Sequence, residues 1–119
     1  MNLSKERKEK LLTLSSSLGV KFHDIALLDT ALTHTSYANE SKDSIVHNER
    51  LEFLGDAVLE LASSTYLFKK FPQMPEGEMT KARASVVCET TLANLSAQME
   101  VGKYLLLGKG EYLTGGSKR

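Results

Sequence analysis

The chain has 119 residues, of which 41% are hydrophobic, and this size and composition favour a single domain with one modest core. Its 15 Lys and Arg residues balance its 15 Asp and Glu residues, so the net charge gives no sign of a nucleic-acid partner, and any such contact must come from local charge. No apolar run approaches the about 18 residues of a membrane span and the N-terminal stretch is too polar for a signal peptide, which predicts a soluble, cytoplasmic protein with no membrane partner.

The first part of the chain has helical spacing. Apolar residues recur mostly at intervals of three and four, and β-branched residues seldom alternate, so the sequence predicts an all-helical fold. A first helix should cover Lys5 to Leu18 and stop at Gly19, because glycine commonly follows the C-terminus of a helix. A second helix should begin near Asp24, a good N-cap, and end around the sequence THTS.

The longest predicted helix follows a polar loop, YANESKDSIV. Asn48 should cap this helix, which ends before Pro72. The sequence PQMPEGE predicts a turn, and helical spacing resumes at Pro75 through GEMTKARASVV and TTLANLSAQM as far as Gly102. The glycine-containing tail, LLLGKGEYLTGGSKR, has no amphipathic pattern.

Cysteine and histidine give little sign of chemistry. The single cysteine, Cys88, excludes an internal disulfide and agrees with a reducing compartment. It lies in ASVVCETTL, far in sequence from any histidine, which favours a buried structural thiol over a nucleophile. The histidines at positions 23, 34 and 47 have no metal-ligand spacing.

The long helix carries a stripe of carboxylates. At about 100° per residue, Glu49, Glu52, Asp56 and Glu60 share an arc of about 80°. The pattern predicts a core face almost opposite this acidic stripe, formed by Leu51, Leu54, Val58, Leu61, Thr65 and Phe68.

Two interpretations of the acidic stripe remain open from the spacing. A solvated face is the simpler one, and acids in the first turn are favoured by the helix dipole by about 0.3–1 kcal/mol. Asp56 fits it less well, since repulsion from the acid at i−4 costs about 0.2–0.5 kcal/mol and Gly55 within the helix costs roughly 1 more. The second interpretation is a hard divalent cation held by carboxylates four residues apart, with glycine allowing close approach of a ligand or another backbone.

Phe53 projects beside the carboxylates, away from the predicted core face. Leu67 and Phe71 lie further along the same side of the helix. This side should therefore be covered, either by the same chain or by a partner.

The sequence NERLEFLGDAVL, Asn48 to Leu59, resembles the signature of the ribonuclease III nuclease domain at every position. LLDTALTHTSYANE before it, PEGEMTKARASVV after it and LANLSAQMEVGKYLLLGKGEYLTGGSKR at the end resemble the bacterial members in family order. The resemblance covers the chain roughly from Leu18 onward.

This resemblance implies an all-α nuclease domain that acts as a homodimer on double-stranded RNA. The implied reaction is magnesium-dependent hydrolysis of phosphodiester bonds, with manganese as the alternative ion, leaving 5′-phosphate and 3′-hydroxyl ends. On this chain Glu52 and Asp56 match the catalytic, metal-binding carboxylates. Glu49 and Glu76 match supporting acids, and Phe53 matches an aromatic residue that plugs a pocket of the other subunit.

The chain departs from the family pattern at its C-terminal end. The family's other two metal ligands, an aspartate and a glutamate, follow the stretch that here ends TGGSKR, and a double-stranded-RNA-binding domain usually comes after them. The implied nuclease domain is therefore C-terminally incomplete, and we expect little or no cleavage by this chain alone.

Candidate RNA contacts lie in the glycine-containing tail, at Lys109, Lys118 and Arg119, although ordinary solubilising charge explains them equally well. Lys81 and Arg83 come next, unless they pair with Glu76 and Glu78. His34 is expected to have a structural hydrogen-bonding role. The alternative function is a catalytically silent RNA-binding or dimerisation module of the same fold, and a helical interaction domain with solvated acids is a third, more remote possibility.

Overall fold

The computed structural model describes residues 3–113, in which the regular elements are helices. The predicted all-α class is confirmed for these residues, where the one strand-like pairing is an isolated bridge between Thr33 and Leu106. The helices are α1 Lys5–Leu18, α2 Ile25–Ala31, α3 Thr35–Glu40, α4 Glu49–Lys70, α5 Glu76–Val86, α6 Glu89–Gln98 and α7 Lys109–Leu113, with a 3₁₀ turn at Val101–Tyr104.

The first helix begins and ends where local sequence chemistry predicts, and the second begins as predicted but ends at Ala31, before the predicted THTS. Ser4 Oγ accepts a hydrogen bond from the Arg7 amide at 3.0 Å, and α1 ends at Gly19, whose φ of 69° is readily adopted only by glycine. Asp24 caps α2 by accepting from the Ala26 amide at 3.1 Å. The predicted bounds of α1 and the predicted cap of α2 are therefore confirmed.

The buried core lies between α1, α2 and the 3₁₀ turn. Its buried members are four leucines, each contributing roughly 1.5–3 kcal/mol through burial. The Arg7 guanidinium donates to Asp29 Oδ1 at 2.8 Å beside this core and joins α1 to α2. The core leucines are Leu11, Leu14, Leu28 and Leu32, surrounded by the partly buried Leu3, Leu18, Phe22, Ile25, Val101, Tyr104 and Leu105.

Helix α4 lies outside this core, and the molecule is elongated as a result. Its radius of gyration is 16.6 Å, against about 13.5 Å for a compact chain of this length. The helix, about 33 Å long, packs mainly against α5. Leu67 is its one buried residue.

The core face predicted for α4 is wrong for this chain. Leu54 is 59% exposed, Leu61 is 69% exposed and Phe68 is 71% exposed, with Val58 similarly open. Amphipathic spacing identifies an apolar side, but no described helix packs along this one. The apolar side that sequence spacing finds is consequently a surface of the chain.

Two short helices, α3 and α7, form in segments where the sequence predicts a loop and a tail without helical pattern. They have six and five residues, well below the about 12–15 residues that make an isolated helix even marginally stable. The two helices contact each other. The contact between α3 and α7 therefore explains why both segments are helical although their local sequence does not predict it.

The segment between α2 and α3 joins three parts of the chain. Leu106 donates to the Leu32 carbonyl at 2.8 Å and accepts from the His34 amide at 3.0 Å. On the other side, the Asn48 amide donates to the Thr33 carbonyl at 2.9 Å. Thr33 is fully buried. This junction places the first turn of α4, which carries Glu49 and Glu52, beside the chain that leads into α7.

Candidate metal and RNA site

Three carboxylates of the acidic stripe are exposed on α4. Glu49 and Glu52 lie in its first turn, Asp56 follows one turn after Glu52, and all three are open to solvent. None of the ion pairs found between residues 3 and 113 involves them. Their negative charge is therefore not neutralised by a lysine or arginine in the described part of the chain.

Asn48 holds the carboxylate end of α4 through tertiary contacts. It occupies the N-cap position, as predicted, but its side chain makes no capping hydrogen bond. Its Nδ2 donates instead to the Ala31 carbonyl at 3.0 Å. The predicted capping role is thus wrong for the side chain, whose amide nitrogen binds the last residue of α2 while its oxygen caps no amide of α4.

The fourth acid of the stripe, Glu60, has a different environment. Its Oε1 lies 3.7 Å from Arg83 Nε, and Arg83 Nη1 donates to Ser64 Oγ at 3.0 Å. The suggested pairing of Arg83 with the acids of its own helix is therefore incorrect, because α5 packs with Arg83 facing α4. Glu60 and Arg83 hold these two helices together, and Lys81 is exposed.

Glu76 lies at the start of α5, where its Oε1 accepts from Thr80 Oγ1 at 3.2 Å. It borders a small cleft between α4 and α5, with Ser64, Phe68 and Arg83. Within the described residues no three His, Cys, Asp or Glu side chains are grouped so that they could hold a metal ion. The structure thus places Glu52 and Asp56 on one helix face without bringing Glu76 to them.

A divalent cation fits this pair only as a hydrated ion. Mg²⁺ is commonly bound through one or two carboxylates, with several waters retained. Glu52 and Asp56 provide two oxygen donors one helical turn apart and exposed to solvent. They match the chemistry of that ion, although they supply only part of a coordination sphere.

Gly55 and Phe53 lie beside these carboxylates on open surface. A Cβ at Gly55 would meet no atom of the described chain within 4 Å, so no close approach within this chain requires glycine there. Phe53 is 82% exposed. Of the apolar residues on this side of α4, Leu67 is covered by its own chain, whereas Phe53 is not.

The predicted RNA contacts fall at and beyond the limit of the described residues. Lys109 is exposed at the first position of α7. Lys118 and Arg119 lie outside the described residues. The Lys109 amide donates to Glu40 Oε1 at 3.0 Å, a contact that sequence spacing missed because it joins residues 69 positions apart.

Cys88 is exposed, contrary to the expectation of a buried thiol. It occupies the N-cap position of α6, with its Sγ 3.2 Å from Thr91 Oγ1. Hydrogen bonding from the Thr91 side chain lowers the pKa of the Cys88 thiol below its usual value. The distance from any histidine in sequence says nothing about burial, and Cys88 lies in the short connection between α5 and α6, which leaves it at the surface.

His34 has the structural role expected from the sequence. Its Nδ1 accepts from the Ser36 amide at 3.1 Å and lies 2.7 Å from Ser36 Oγ, so it caps α3.

None of the described helices combines the length and apolar character needed to cross a membrane.

Comparison with known proteins identifies the family. A family model described as Ribonuclease-III-like matches residues 24–119. The protein named Ribonuclease 3 of Natranaerobius thermophilus is 57% identical over 109 residues, which cover 92% of this chain and 47% of the relative. The protein of the same name from Clostridium acetobutylicum is 54% identical over 114 residues, covering 96% of this chain and 49% of the relative.

Two solved structures of the ribonuclease III nuclease domain of Campylobacter jejuni also match, each with a TM-score of 0.79. They are 42% and 38% identical to this chain and cover 89% and 98% of it, while the chain covers 71% and 73% of theirs. The chain spans about half the length of the curated relatives it matches. Its sequence signature, its helical fold and these matches together show that the chain belongs to the ribonuclease-III-like family.

Proposed function

We propose that this chain is the nuclease part of an endoribonuclease that hydrolyses phosphodiester bonds of double-stranded RNA with a divalent metal ion. The observation that carries the proposal is the exposed pair Glu52 and Asp56 on one face of α4, which has no ion-pair partner within residues 3–113 and lies in the signature shared with ribonuclease III. Like charges one turn apart destabilise a helix slightly unless a cation offsets them.

Glu52 and Asp56 would hold magnesium, or manganese, with Glu49 and Glu76 as supporting acids. A bound divalent ion stabilises developing negative charge on phosphate oxygens and lowers the pKa of a coordinated water. The chain's own contribution is orientation. Asn48 anchors the first turn of α4 through two hydrogen bonds.

Lys109, Lys118 and Arg119 would contact RNA phosphates, because A-form duplexes are recognised mainly through the backbone and 2′-hydroxyls. The RNA ends expected are 5′-phosphate and 3′-hydroxyl, as in RNA processing.

Phe53 would contribute to a homodimer. One C. jejuni nuclease-domain structure is described as flexible in a region involved in dimer formation, and Phe53 of this chain is too exposed to stabilise the isolated chain.

A second candidate function is a silent module of the same fold that binds RNA or dimerises without cleavage. Among residues 3–113 the acids of this surface form no group of three that could hold a metal ion. Charge repulsion between Glu52 and Asp56 has no use in such a module, which favours the nuclease.

The test is Asp56→Asn in the complete protein, with Glu60→Gln as the matched control. Asp56→Asn should abolish magnesium-dependent cleavage of long double-stranded RNA while circular dichroism shows unchanged helicity. Glu60→Gln removes one negative charge from the same acidic stripe, as Asp56→Asn does, but at a residue that is paired with Arg83. This variant should retain cleavage. Unaltered cleavage by Asp56→Asn would remove this carboxylate from the chemistry. Absence of cleavage by the unaltered complete protein would instead support the silent module.

A further inference from the structure

The start of α7 is held against α3 by backbone amides that donate to side chains. The Gly108 amide donates to Ser36 Oγ at 2.9 Å, across 72 positions of sequence. The next amide, that of Lys109, donates to Glu40 Oε1 at 3.0 Å. Two consecutive amides therefore find their acceptors on one short helix.

This contact requires glycine at position 108. Gly108 is buried, and a Cβ there would collide with Glu40 Oε2 and would lie 2.7 Å from the Ser36 carbonyl oxygen. A backbone oxygen cannot move aside as a flexible side chain can. The close approach of Gly108 to α3 is what brings the Lys109 amide within reach of Glu40.

We propose that Glu40 is a positioning residue for the RNA contact of Lys109, an inference that rests on the proposed function. The carboxylate of Glu40 is bonded to the main-chain nitrogen of Lys109 itself, one covalent bond from the Cα that bears the lysine side chain. Fixing that nitrogen fixes the direction in which the side chain leaves the backbone. The Lys109 side chain itself is exposed.

The negative charge of Glu40 separates a positioning role from direct RNA binding. Glu40 cannot attract a phosphate directly, so a loss of RNA affinity on its removal has to act through another group. Glutamine at position 40 keeps an oxygen acceptor of the same reach without the charge. Alanine removes the acceptor altogether.

The experiment measures the affinity of the 119-residue chain for a short blunt-ended RNA duplex without magnesium, over a range of salt concentrations. Lys109→Ala should weaken binding roughly fivefold and lower the slope of log K against log salt by about 0.7–0.9, as expected for one lost phosphate contact. Glu40→Ala should reproduce both changes, whereas Glu40→Gln should bind as the unaltered chain does. In the double variant, Glu40→Ala should add nothing to Lys109→Ala.

Amide hydrogen exchange provides a readout that needs no RNA. Glu40→Ala should accelerate exchange at the Lys109 amide, and Glu40→Gln should not. Unchanged exchange, or a full additive loss of affinity in the double variant, would overturn the positioning role. If the unaltered chain has no affinity for duplex RNA, the RNA part of the proposed function fails together with this inference. If Lys109→Ala weakens binding but Glu40→Ala does not, the inference alone fails.

Discussion

The side chain of Asn48 donates to the carbonyl of Ala31 at 3.0 Å, across 17 positions of sequence, although Asn48 stands at the N-cap of the longest helix. A cap bond would satisfy an amide of α4 itself. The observed bond instead ties the first turn of α4 to the end of α2, which is part of the buried core. The acids that begin α4 are thereby connected to a helix that contributes Leu28 to the buried core.

Replacing Asn48 by Asp distinguishes these two roles. Asn and Asp are equally good N-caps, so a capping role predicts little change. The tertiary role predicts a loss of about 1–2 kcal/mol of unfolding free energy, because Asp cannot donate to the Ala31 carbonyl. Urea unfolding measures the difference. Asp24→Asn is the control, since Asp24 does cap its helix and Asn accepts the same bond; a neutral Asn48→Asp would contradict the anchor.

Replacing Gly55 by Ala should raise the unfolding free energy of the chain by about 1 kcal/mol. Alanine is favoured over glycine within a helix, and the added Cβ meets no atom of the described chain. Gly19→Ala should have the opposite sign, because Gly19 has a φ of 69°. In the complete protein, Gly55→Ala should impair RNA cleavage if RNA or a partner subunit approaches this surface. Stabilisation with full cleavage would show that glycine is dispensable there.

Replacing Phe53 by Ala should weaken self-association and leave the fold intact. Phe53 is 82% exposed, so its removal should change the unfolding free energy of the isolated chain by less than about 0.5 kcal/mol. Leu14→Ala in the core should cost about 2–5 kcal/mol and serves as the reference for burial. Sedimentation velocity over a concentration series measures the dimer. An unaltered monomer–dimer equilibrium in Phe53→Ala would count against its place in the interface.

Cys88 should react with alkylating reagents at lower pH than an ordinary exposed thiol. The thiolate is the reactive form, and hydrogen bonding from Thr91 lowers the pKa of Cys88, so more thiolate is present at a given pH below the usual value. Thr91→Val keeps the shape of the side chain but removes the hydroxyl. Its rate–pH profile for iodoacetamide should move to higher pH, towards that of an ordinary cysteine. Identical profiles would exclude Thr91 as the cause.

Much of the local structure could be predicted because it depends on neighbours a few residues away. The cap at Asp24 and the stop at Gly19 are examples, since a side-chain acceptor and a left-handed φ act within one turn. The arrangement of Glu52 and Asp56 on one face of α4 follows from helical periodicity alone. The family resemblance was likewise contained in consecutive residues of that helix.

The tertiary structure decided which of these local features are buried, paired or held. Periodicity locates an apolar side of α4 but cannot tell whether another element covers it, and Leu61 is exposed for that reason. Helical spacing identified Glu60 as one acid of a stripe of four, whereas packing of α5 gave it Arg83 as a partner. The hydrogen bond from the Lys109 amide to Glu40 forms because two segments 69 positions apart in sequence lie next to each other in the fold. The sequence determined where the helices form and which residues share a face of each helix. The packing determined which side chains are buried, paired or hydrogen-bonded, because burial and hydrogen bonding depend on distances between elements that local spacing does not specify.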